Sequence, residues 1–288
     1  MKTVCFGLLL LLALVGRADA GTFFQLALPA ADVVWDPLRG RLYASVPTGE
    51  HADSVAVVDP QTGTVESFIA VGSRPNVLAI SDDARYLYVG LLGEPVVVRV
   101  DLATRTVNLR IDLGREWLGP HYAEDLAVLP GMPGSIAVAR QYRGISPGHA
   151  GIAIFDDDVV RAVTTPEWPP NNRILFGASP DRLYGVNIED SDFGVTRMLV
   201  DSSGVSVQTH ARDVGGASIA VAGGRVYTGK GAVLDGGTLA TLDTLPVAGT
   251  VAVDASPLRA FFVAFVESAP ALRIRAFDPV ARMELASG

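Results

Sequence analysis

The four histidines are the side chains best suited to chemistry in this sequence, and each lies in a stretch expected to be a loop. Aromatic residues and one arginine occur in the same stretches. The residues that could form a ligand-binding face are therefore His51, Trp117, His121, Tyr122, Tyr142, Arg143, His149, Trp168 and His210. Such rings combine apolar surface with hydrogen-bonding atoms. The histidine spacing matches no local metal motif, so the fold would have to assemble any shared site, and the alternative is that loops simply tolerate these residue types.

A second group of residues carries side-chain oxygens just before apolar runs. It consists of Asp32, Asn76, Glu124, Asp125 and Asn172. Carboxylate and amide oxygens that converge from several repeats are hard ligands, which suit Ca²⁺. Asp and Asn also start strands and cap turns by bonding to the backbone, so these residues have a structural explanation as well. Calcium is the only cofactor that the sequence suggests, and a metal-assisted hydrolase is the alternative to a binding protein.

Other catalytic patterns are missing from the sequence. It has no Gly-x-Ser-x-Gly elbow for a serine nucleophile, and its paired glycines are turn residues rather than a phosphate-binding loop that opens a helix. The one cysteine, Cys5, lies in the N-terminal apolar segment, which excludes thiolate-ligated clusters and haem attachment. We therefore expect a binding module rather than an enzyme.

An internal repeat gives the elements that must position these residues. The segment 54–65 recurs as 96–107, and its two apolar strands flank a turn that opens with Asp. That residue recurs as Asp59, Asp101, Asp156, Asp201, Asp235 and Asp278. The mean spacing is about 44 residues, which lies in the range of propeller blades. Each Asp is expected to accept hydrogen bonds from the backbone of its turn.

A second marker has the same mean period of about 44 residues. It comprises Arg41-Leu42-Tyr43, Tyr86-Leu87-Tyr88, Ser135-Ile136-Ala137, Arg182-Leu183-Tyr184, Arg225-Val226-Tyr227 and Ala260-Phe261-Phe262. A turn rich in Asp, Pro or Gly precedes each triplet, and an apolar run such as 33–35 precedes that turn. Short runs of this composition are typical of strands. The sequence predicts an all-β propeller of six visible four-stranded blades, in which the first strand of each blade is innermost and buried on both faces.

The first two units resemble the YVTN-type repeats of bacterial secreted and surface-layer propellers. The resemblance is carried by Ser-Val-Ala-Val-Val-Asp-Pro-Gln-Thr-Gly at 54–63, Val-Gly-Ser-Arg-Pro-Asn at 71–76 and Arg-Tyr-Leu-Tyr-Val at 85–89. The sequence departs from the name motif at Gly90-Leu91, and the match decays in the later units. Relatives of this family include lactonase-like propellers, which hold calcium with oxygen ligands, and propeller subunits of periplasmic dehydrogenases. The resemblance thus implies seven blades, and it adds a dehydrogenase partner as a further alternative function.

The ends of the propeller raise the question of blade number. Residues 21–28 are expected to form an extra leading strand, and the sequence stops inside the last strand of the sixth unit. We therefore expect a seven-bladed propeller whose last repeat is not part of this sequence. The alternative is a six-bladed ring with frayed ends.

The N-terminus has the pattern of a secretory signal. Lys2 is followed by an apolar run over 4–15 and by small residues that end at Ala20. The pattern predicts cleavage after residue 20, a mature chain over 21–288 that forms one propeller domain, and a periplasmic or extracellular location. No later stretch is long and apolar enough for a membrane-spanning helix.

Charge and loop length together indicate the kind of partner. Removal of Lys2, Arg17 and Asp19 from the 23 basic and 31 acidic residues leaves 21 and 30, a formal charge of −9, which disfavours nucleic acid. Long loops on a rigid scaffold are where binding concentrates. Insertions are expected on one face, at 47–53, 115–124, 141–150, 165–172, 189–192 and 208–216. We expect this face to bind a small molecule, a glycan or a protein.

Overall fold

The computed structural model describes residues 24–256, 258–265, 272–279 and 283–287. The predicted signal segment lies outside the described residues. The chain divides into two compact units, residues 1–123 and 124–288. The described part contains strands and no helix, so the all-β prediction is confirmed. It accordingly contains no helix long and apolar enough to cross a membrane.

The first unit contains two four-stranded antiparallel sheets, blades 1 and 2. Blade 1 consists of β1 (Val33–Asp36), β2 (Arg41–Val46), β3 (Ser54–Asp59) and β4 (Thr64–Ala70). Blade 2 consists of β5 (Pro75–Ile80), β6 (Tyr86–Leu91), β7 (Val96–Asp101) and β8 (Thr106–Asp112). A two-stranded hairpin of β9 (Arg115–Glu116) and β10 (Gly119–Pro120) follows blade 2.

The second unit contains blades 3 to 6, although the first two residues of blade 3 precede the unit boundary. Blade 3 consists of β11 (Tyr122–Leu129), β12 (Met132–Gln141), β13 (His149–Asp156) and β14 (Val159–Val160). Blade 4 consists of β15 (Arg173–Phe176), β16 (Arg182–Val186), β17 (Val195–Asp201) and β18 (Gly204–Ala211). Blade 5 consists of β19 (Ile219–Ala222), β20 (Arg225–Thr228), β21 (Ala232–Asp235) and β22 (Thr241–Thr244). Blade 6 consists of β23 (Thr250–Ala255), β24 (Leu258–Phe265), β25 (Leu272–Asp278) and β26 (Met283–Ser287).

The six predicted repeats are therefore six propeller blades, and each second strand contains its predicted marker triplet. A seventh blade would consist of residues that this sequence does not contain, so it stays a prediction. Within each blade the strands pair in chain order as a meander. The loop between the second and third strands and the connection to the next blade consequently share one end of the blade, which we call the long-loop end. The loops 142–148 and 187–194 and the connection 161–172 all lie at this end.

The second and third strands of the blades form most of the core. Strands β2 and β3 are buried over nearly their whole length, whereas β1 is only partly buried. Strand β5 is also largely buried, so the prediction that the first strand is buried on both faces is confirmed for β5 and wrong for β1. The first strand lies at the edge of its sheet and pairs with one strand, while the second and third strands each pair with two. Side chains of these middle strands also pack between blades, since Val57 of blade 1 belongs to the same buried apolar cluster as Leu87 and Val98 of blade 2.

The expected leading strand is absent from the described residues before blade 1. Residues 24–32 contain no strand, and residues 21–23 lie outside the described part. The amide of Ala30 donates to the carbonyl of Leu28, which bends the backbone away from an extended path. Leu28 and Ala30 pack instead against the apolar cluster of blade 1. This segment thus covers the side of a blade rather than extending a sheet.

The repeated Asp accepts hydrogen bonds in its turn, as the sequence predicts, at four described positions. An amide two residues later donates to the carboxylate over 2.8–3.0 Å at Asp59, Asp101, Asp201 and Asp235. The amide of Thr238 also donates to Asp235 and lowers the pKa of that carboxyl, because the bond favours the charged form. The structural explanation of these residues is confirmed.

Asp156 is an exception to the turn role. Arg161 donates to both of its oxygens, from Nε over 2.8 Å and from a terminal nitrogen over 2.7 Å, and the hydroxyl of Ser135 donates over 2.6 Å. A third nitrogen of Arg161 donates to the carbonyl of Asp201 in blade 4. The turn itself begins with Asp157 in a left-handed conformation, φ 51°. Asp156 therefore helps to link blades 3 and 4 instead of closing its own turn.

Polar side chains also connect the first strands of neighbouring blades within each unit. Asp32, before β1, accepts a hydrogen bond of 2.8 Å from the amide of Leu78 in β5. Asp125 in β11 accepts one of 2.7 Å from the amide of Ile174 in β15. The hydroxyl of Ser218, before β19, likewise accepts a hydrogen bond of 2.9 Å from the amide of Val251 in β23. The first strands donate these amides at an otherwise unpaired edge, so the side chain of the preceding blade completes their hydrogen bonding.

We predict that Asp32→Ala lowers the free energy of unfolding by about 1–3 kcal/mol, because the buried amide of Leu78 loses its acceptor. Urea unfolding at pH 7 measures the change. Glu50→Ala is the control, since Glu50 is an exposed loop residue of the same unit. Equal stability of the two variants would contradict this role for Asp32.

The ion pair of Asp156 and Arg161 predicts a dependence of stability on pH. Hydrogen bonds from Arg161 lower the pKa of Asp156 in the folded state. A lowered folded pKa stabilises the protein above the unfolded-state pKa, and this contribution is lost as pH falls through the folded value. Arg161→Gln should therefore be less stable than the wild type at pH 7 by up to about 1 kcal/mol, since Asp156 is half exposed. The difference should shrink below about pH 4 in urea unfolding repeated across pH; a constant difference down to pH 2 would argue against the ion pair.

Candidate functional site

Two polar clusters lie at the long-loop end of blades 3 and 4, and each contains residues from the predicted binding face. The first, the carboxylate–amide cluster, comprises Glu124, His149, Asn172 and Glu189. The second, the Trp168 cleft, is lined by Trp168, Asp190, Ser191, Asp192, Arg212 and Asp213. Both lie within the second unit. They differ in how far a ligand could reach their polar atoms.

Asn172 is the centre of the carboxylate–amide cluster. Its side-chain nitrogen donates to Glu124 over 2.8 Å and lies 3.3 Å from an oxygen of Glu189. His149 Nδ1 donates to the other oxygen of Glu124 over 3.1 Å, because a carboxylate can only accept. The Asn172 amide therefore bridges two carboxylates that would otherwise repel each other.

Backbone groups complete the carboxylate–amide cluster. The amides of Gly148 and His149 donate to Glu189, and the oxygen of Asn172 accepts the amide of Ile188 over 2.9 Å. The loop before β13 is thereby joined to the loop before β17. The His149 side chain is fully buried, and its Nε2 has no hydrogen-bond partner among the described residues. The cluster is a buried network that fixes two loops, and little of it is open to a ligand.

The predicted calcium ligands make separate contacts within their own units. Asp32 and Asp125 each accept an amide of the next blade, and Glu124 and Asn172 belong to the carboxylate–amide cluster. The contact of Asn76 is made by its backbone carbonyl, which accepts the hydroxyl of Ser45 over 2.6 Å. In the described part of the chain, no group of three His, Cys, Asp or Glu side chains is arranged to hold a metal ion. Calcium therefore stays a prediction without support from a ligand set.

The Trp168 cleft is built by three loops of blades 3 and 4. The connection 161–172 provides Trp168, the loop 187–194 provides Asp190 to Asp192, and the segment after β18 provides Arg212 and Asp213. The cleft has a volume of about 320 Å³. Trp168 is 55% exposed, so a ligand in the cleft can reach its indole.

Asp192 is the best-buried carboxylate of the cleft, with 8% of its side chain exposed. His210 Nε2 donates to its Oδ2, and His210 Nδ1 lies 2.9 Å from the hydroxyl of Thr196. Arg212 Nε lies 3.1 Å from Oδ1 but is not aligned to donate, so this oxygen has no hydrogen bond among the described residues. One buried, negatively charged oxygen at the cleft is thus left without a hydrogen-bond donor.

Close packing against the loop backbone fixes the position of His210. A Cβ atom at residue 194 would lie 2.4 Å from the Cε1 atom of the imidazole, so only glycine fits there. The indole of Trp168 lies 6.1 Å from the same imidazole at a tilt of 56°, and the guanidinium of Arg212 lies 5.7 Å from the indole. These rings and charges form one wall of the cleft.

The structure brings together only part of the predicted binding face. Trp168 lies beside His210, and His149 lies with Glu124 and Asn172 in the buried cluster. Tyr142 is buried, and its amide bonds to the carbonyl of Gly148 within the loop 142–148. Arg143 is exposed in the same loop.

The remaining predicted residues belong to the first unit and do not form one site there. His51 stacks on Phe68 of blade 1 with 3.8 Å between ring centroids. His121 is buried, and its Nδ1 lies 3.2 Å from the carbonyl of Leu113. Trp117 is 84% exposed between β9 and β10, and Tyr122, at the start of β11, is half-buried.

The acidic and basic residues of the cleft were not singled out from the sequence. The sequence predicts only that they lie in long loops, 189–192 and 208–216, which contain Asp190, Asp192, Arg212 and Asp213. Asp and Arg are common in exposed loops, so residue type alone does not reveal which of them face a shared cavity.

Comparison with known proteins gives the fold. No protein-family model matches the chain, and no curated protein matches it. Solved structures do match it, among them the hydrazine synthase of Kuenenia stuttgartiensis, with 17% identity, TM-score 0.63 and coverage of 91% of this chain and 80% of that one. The Cps50 (Swd1) β-propeller domain of Myceliophteria thermophila has 13% identity, TM-score 0.63 and coverages of 90% and 86%.

A functionally unknown protein from Desulfotomaculum acetoxidans is also similar, with 14% identity, TM-score 0.67 and coverages of 92% and 86%. At such identities the similarity shows a shared β-propeller fold and nothing about activity. The fold class predicted from the repeat is confirmed. The YVTN-type resemblance receives no support from a family match.

We predict that Asn172→Ala lowers the free energy of unfolding by about 1–3 kcal/mol, because two carboxylates and the amide of Ile188 lose their shared partner. Gln208→Ala is the control, since its side chain is exposed and its described hydrogen bond is to the partly exposed Ser206. Urea unfolding measures both variants. A loss no larger than that of the control would show that the cluster does not stabilise the loops.

Proposed function

We propose that this protein is an exported binding module that takes its ligand in the Trp168 cleft. The observation that carries the proposal is an exposed indole beside a concave, charged surface on three fixed loops. Binding sites combine an apolar contact with a few well-placed polar groups, and the cleft has both. Export follows from the N-terminal signal pattern and is part of the proposal.

The accessibility of its polar groups favours the Trp168 cleft over the carboxylate–amide cluster. In the latter, the His149 side chain is fully buried and both carboxylates already accept internal hydrogen bonds. In the cleft, Trp168 and Arg212 are largely exposed, so a ligand can reach both side chains. A ligand can therefore add contacts in the cleft without breaking the contacts that hold the loops.

The ligand is proposed to be a small molecule, a glycan or a protein segment. Nucleic acid is disfavoured, because the cleft presents three aspartates and one arginine, and the chain has a formal charge of −8. A place among the YVTN-type propellers is part of this proposal and rests on residues 54–89. Similar solved structures carry names as different as a hydrazine synthase and a Swd1 propeller domain, so their fold does not choose a ligand.

The proposal predicts that Trp168→Ala weakens ligand binding. Small-molecule, glycan and peptide libraries would first be screened for compounds that raise the melting temperature of the wild type. Loss of the indole surface should then reduce the affinity of the hits by about tenfold, as expected for about 1.4 kcal/mol. Trp117→Ala is the matched control, since Trp117 is an exposed tryptophan of another loop. Hits that bind Trp168→Ala as tightly as the wild type would refute the cleft as the site.

A further inference from the structure

Asp192 presents an unusual combination of burial, charge and missing hydrogen bonds. Its side chain is 8% exposed and lines the cleft, while Oδ1 accepts no hydrogen bond among the described residues. A buried carboxylate is costly unless donors or a cation compensate its charge. His210 supplies one donor, to Oδ2. The other oxygen is buried with Arg212 Nε 3.1 Å away, so another donor can reach it only if the Arg212 side chain moves.

Arg212 shows which chemical group the cleft can accept. Its guanidinium carbon lies 5.7 Å from the centroid of the Trp168 ring, and its Nε lies 3.1 Å from Oδ1 of Asp192. The side chain is nevertheless 68% exposed, and its Nε–H is not aligned with the carboxylate. A guanidinium binds a carboxylate best through two parallel hydrogen bonds. The contact of Arg212 with Asp192 therefore lacks the paired hydrogen bonds that a guanidinium prefers.

The charges around the cleft also favour a cation. Asp190, Asp192 and Asp213 line it, with Arg212 as the one basic lining residue. Lys230 lies 3.3 Å from Asp213. Three aspartates still outnumber one arginine and one lysine, so the formal charge of these residues is negative. The face of a tryptophan attracts ammonium and guanidinium groups as well. An anionic ligand would meet repulsion from the same carboxylates.

We infer that the group recognised in the Trp168 cleft is a guanidinium or ammonium cation, and that Arg212 occupies its place when no ligand is bound. The inference rests on the proposed binding function and adds the chemical class of the ligand. Ligand binding displaces the exposed side chain of Arg212 and gives Asp192 Oδ1 an aligned donor. The loops that build the cleft need not move, because the Arg212 side chain is already exposed to solvent.

The probe for this inference is methylguanidinium, and the control compound is methylurea, which has nearly the same shape and no charge. Indole fluorescence of Trp168 reports binding in a variant in which Trp35 and Trp117 are replaced by Phe. All titrations are made at constant ionic strength with sodium chloride. We expect methylguanidinium and methylammonium to change the fluorescence saturably, and methylurea to have no effect.

Two variants test the roles of the charged residues. Arg212→Ala should bind methylguanidinium about tenfold more tightly than the wild type, because the competing side chain is gone. Asp192→Asn should bind it at least tenfold more weakly. Arg115→Ala is the matched control for the arginine change, since Arg115 is exposed in the first unit. Arg212 is a surface residue, so its variant keeps the test valid if Asp192→Asn does not fold.

A peptide with a blocked, central arginine identifies the source of the cation. Binding at least tenfold tighter than that of methylguanidinium would indicate a basic side chain of a protein partner. Equal binding would indicate a small cation. Both results support the inference about the chemical group.

Three results would overturn the inference. They are equal binding of methylurea and methylguanidinium, unchanged affinity in Arg212→Ala, and no saturable binding of any cation. If glycans or neutral compounds still require Trp168, the proposed function stands and only the cationic class is wrong. If no ligand responds to Trp168→Ala, the proposed function fails with it.

Discussion

Burial of the second and third strands of each blade is the constraint on which the other features depend. These strands pair on both sides within their sheet, and their apolar side chains pack against the neighbouring blade in the same unit. Fully burying such a side chain contributes about 1.5–3 kcal/mol, so a dozen of them dominate the stability of a blade pair. Because the middle strands are held in the core, the strand ends at which the loops begin are also held in place. The long loops can therefore vary while their attachment points stay in place.

Carboxylates in this protein serve two different purposes, and their hydrogen bonds distinguish them. Asp32 and Asp125 accept amides from the next blade, and Asp235 accepts amides within its own turn. Their oxygens are occupied by the backbone, which is a structural role. Asp192 lines the cleft and its side chain is buried, yet one of its oxygens accepts no hydrogen bond among the described residues. This difference, rather than residue type, separates a candidate binding residue from a structural one.

At blades 3 and 4, one group of loop residues holds the loops in place and another remains accessible to a ligand. The carboxylate–amide cluster joins the loops 142–148 and 187–194 through hydrogen bonds of Glu189 and Asn172. The same loop 187–194 then carries Asp190 and Asp192 into the Trp168 cleft. A binding site needs its polar groups held in place before the ligand arrives, since ordering them afterwards costs free energy. The buried cluster thus supports the exposed cleft beside it.

The sequence by itself determined the repeat, the strand positions and the turn role of four of the six repeated aspartates. These features are local, because alternating apolar runs and turn residues act over a few neighbouring positions. It also indicated which segments are long loops, and both clusters lie there. Local patterns did not reveal that Asp156 pairs with Arg161, that residues 24–30 form no strand, or that β1 is only partly buried. Each of these depends on which edge or neighbour is present in the folded sheet.

The candidate site was decided by tertiary structure alone. Trp168 and Asp192 are 24 positions apart, and a further 20 separate Asp192 from Arg212, so no sequence spacing relates them. The predicted group of histidines is divided among separate environments, because each blade places its own loops. Whether a charged side chain is buried and paired or faces a cavity depends on the loops packed around it. That packing is set by contacts between residues far apart in the chain, and a single sequence does not record them.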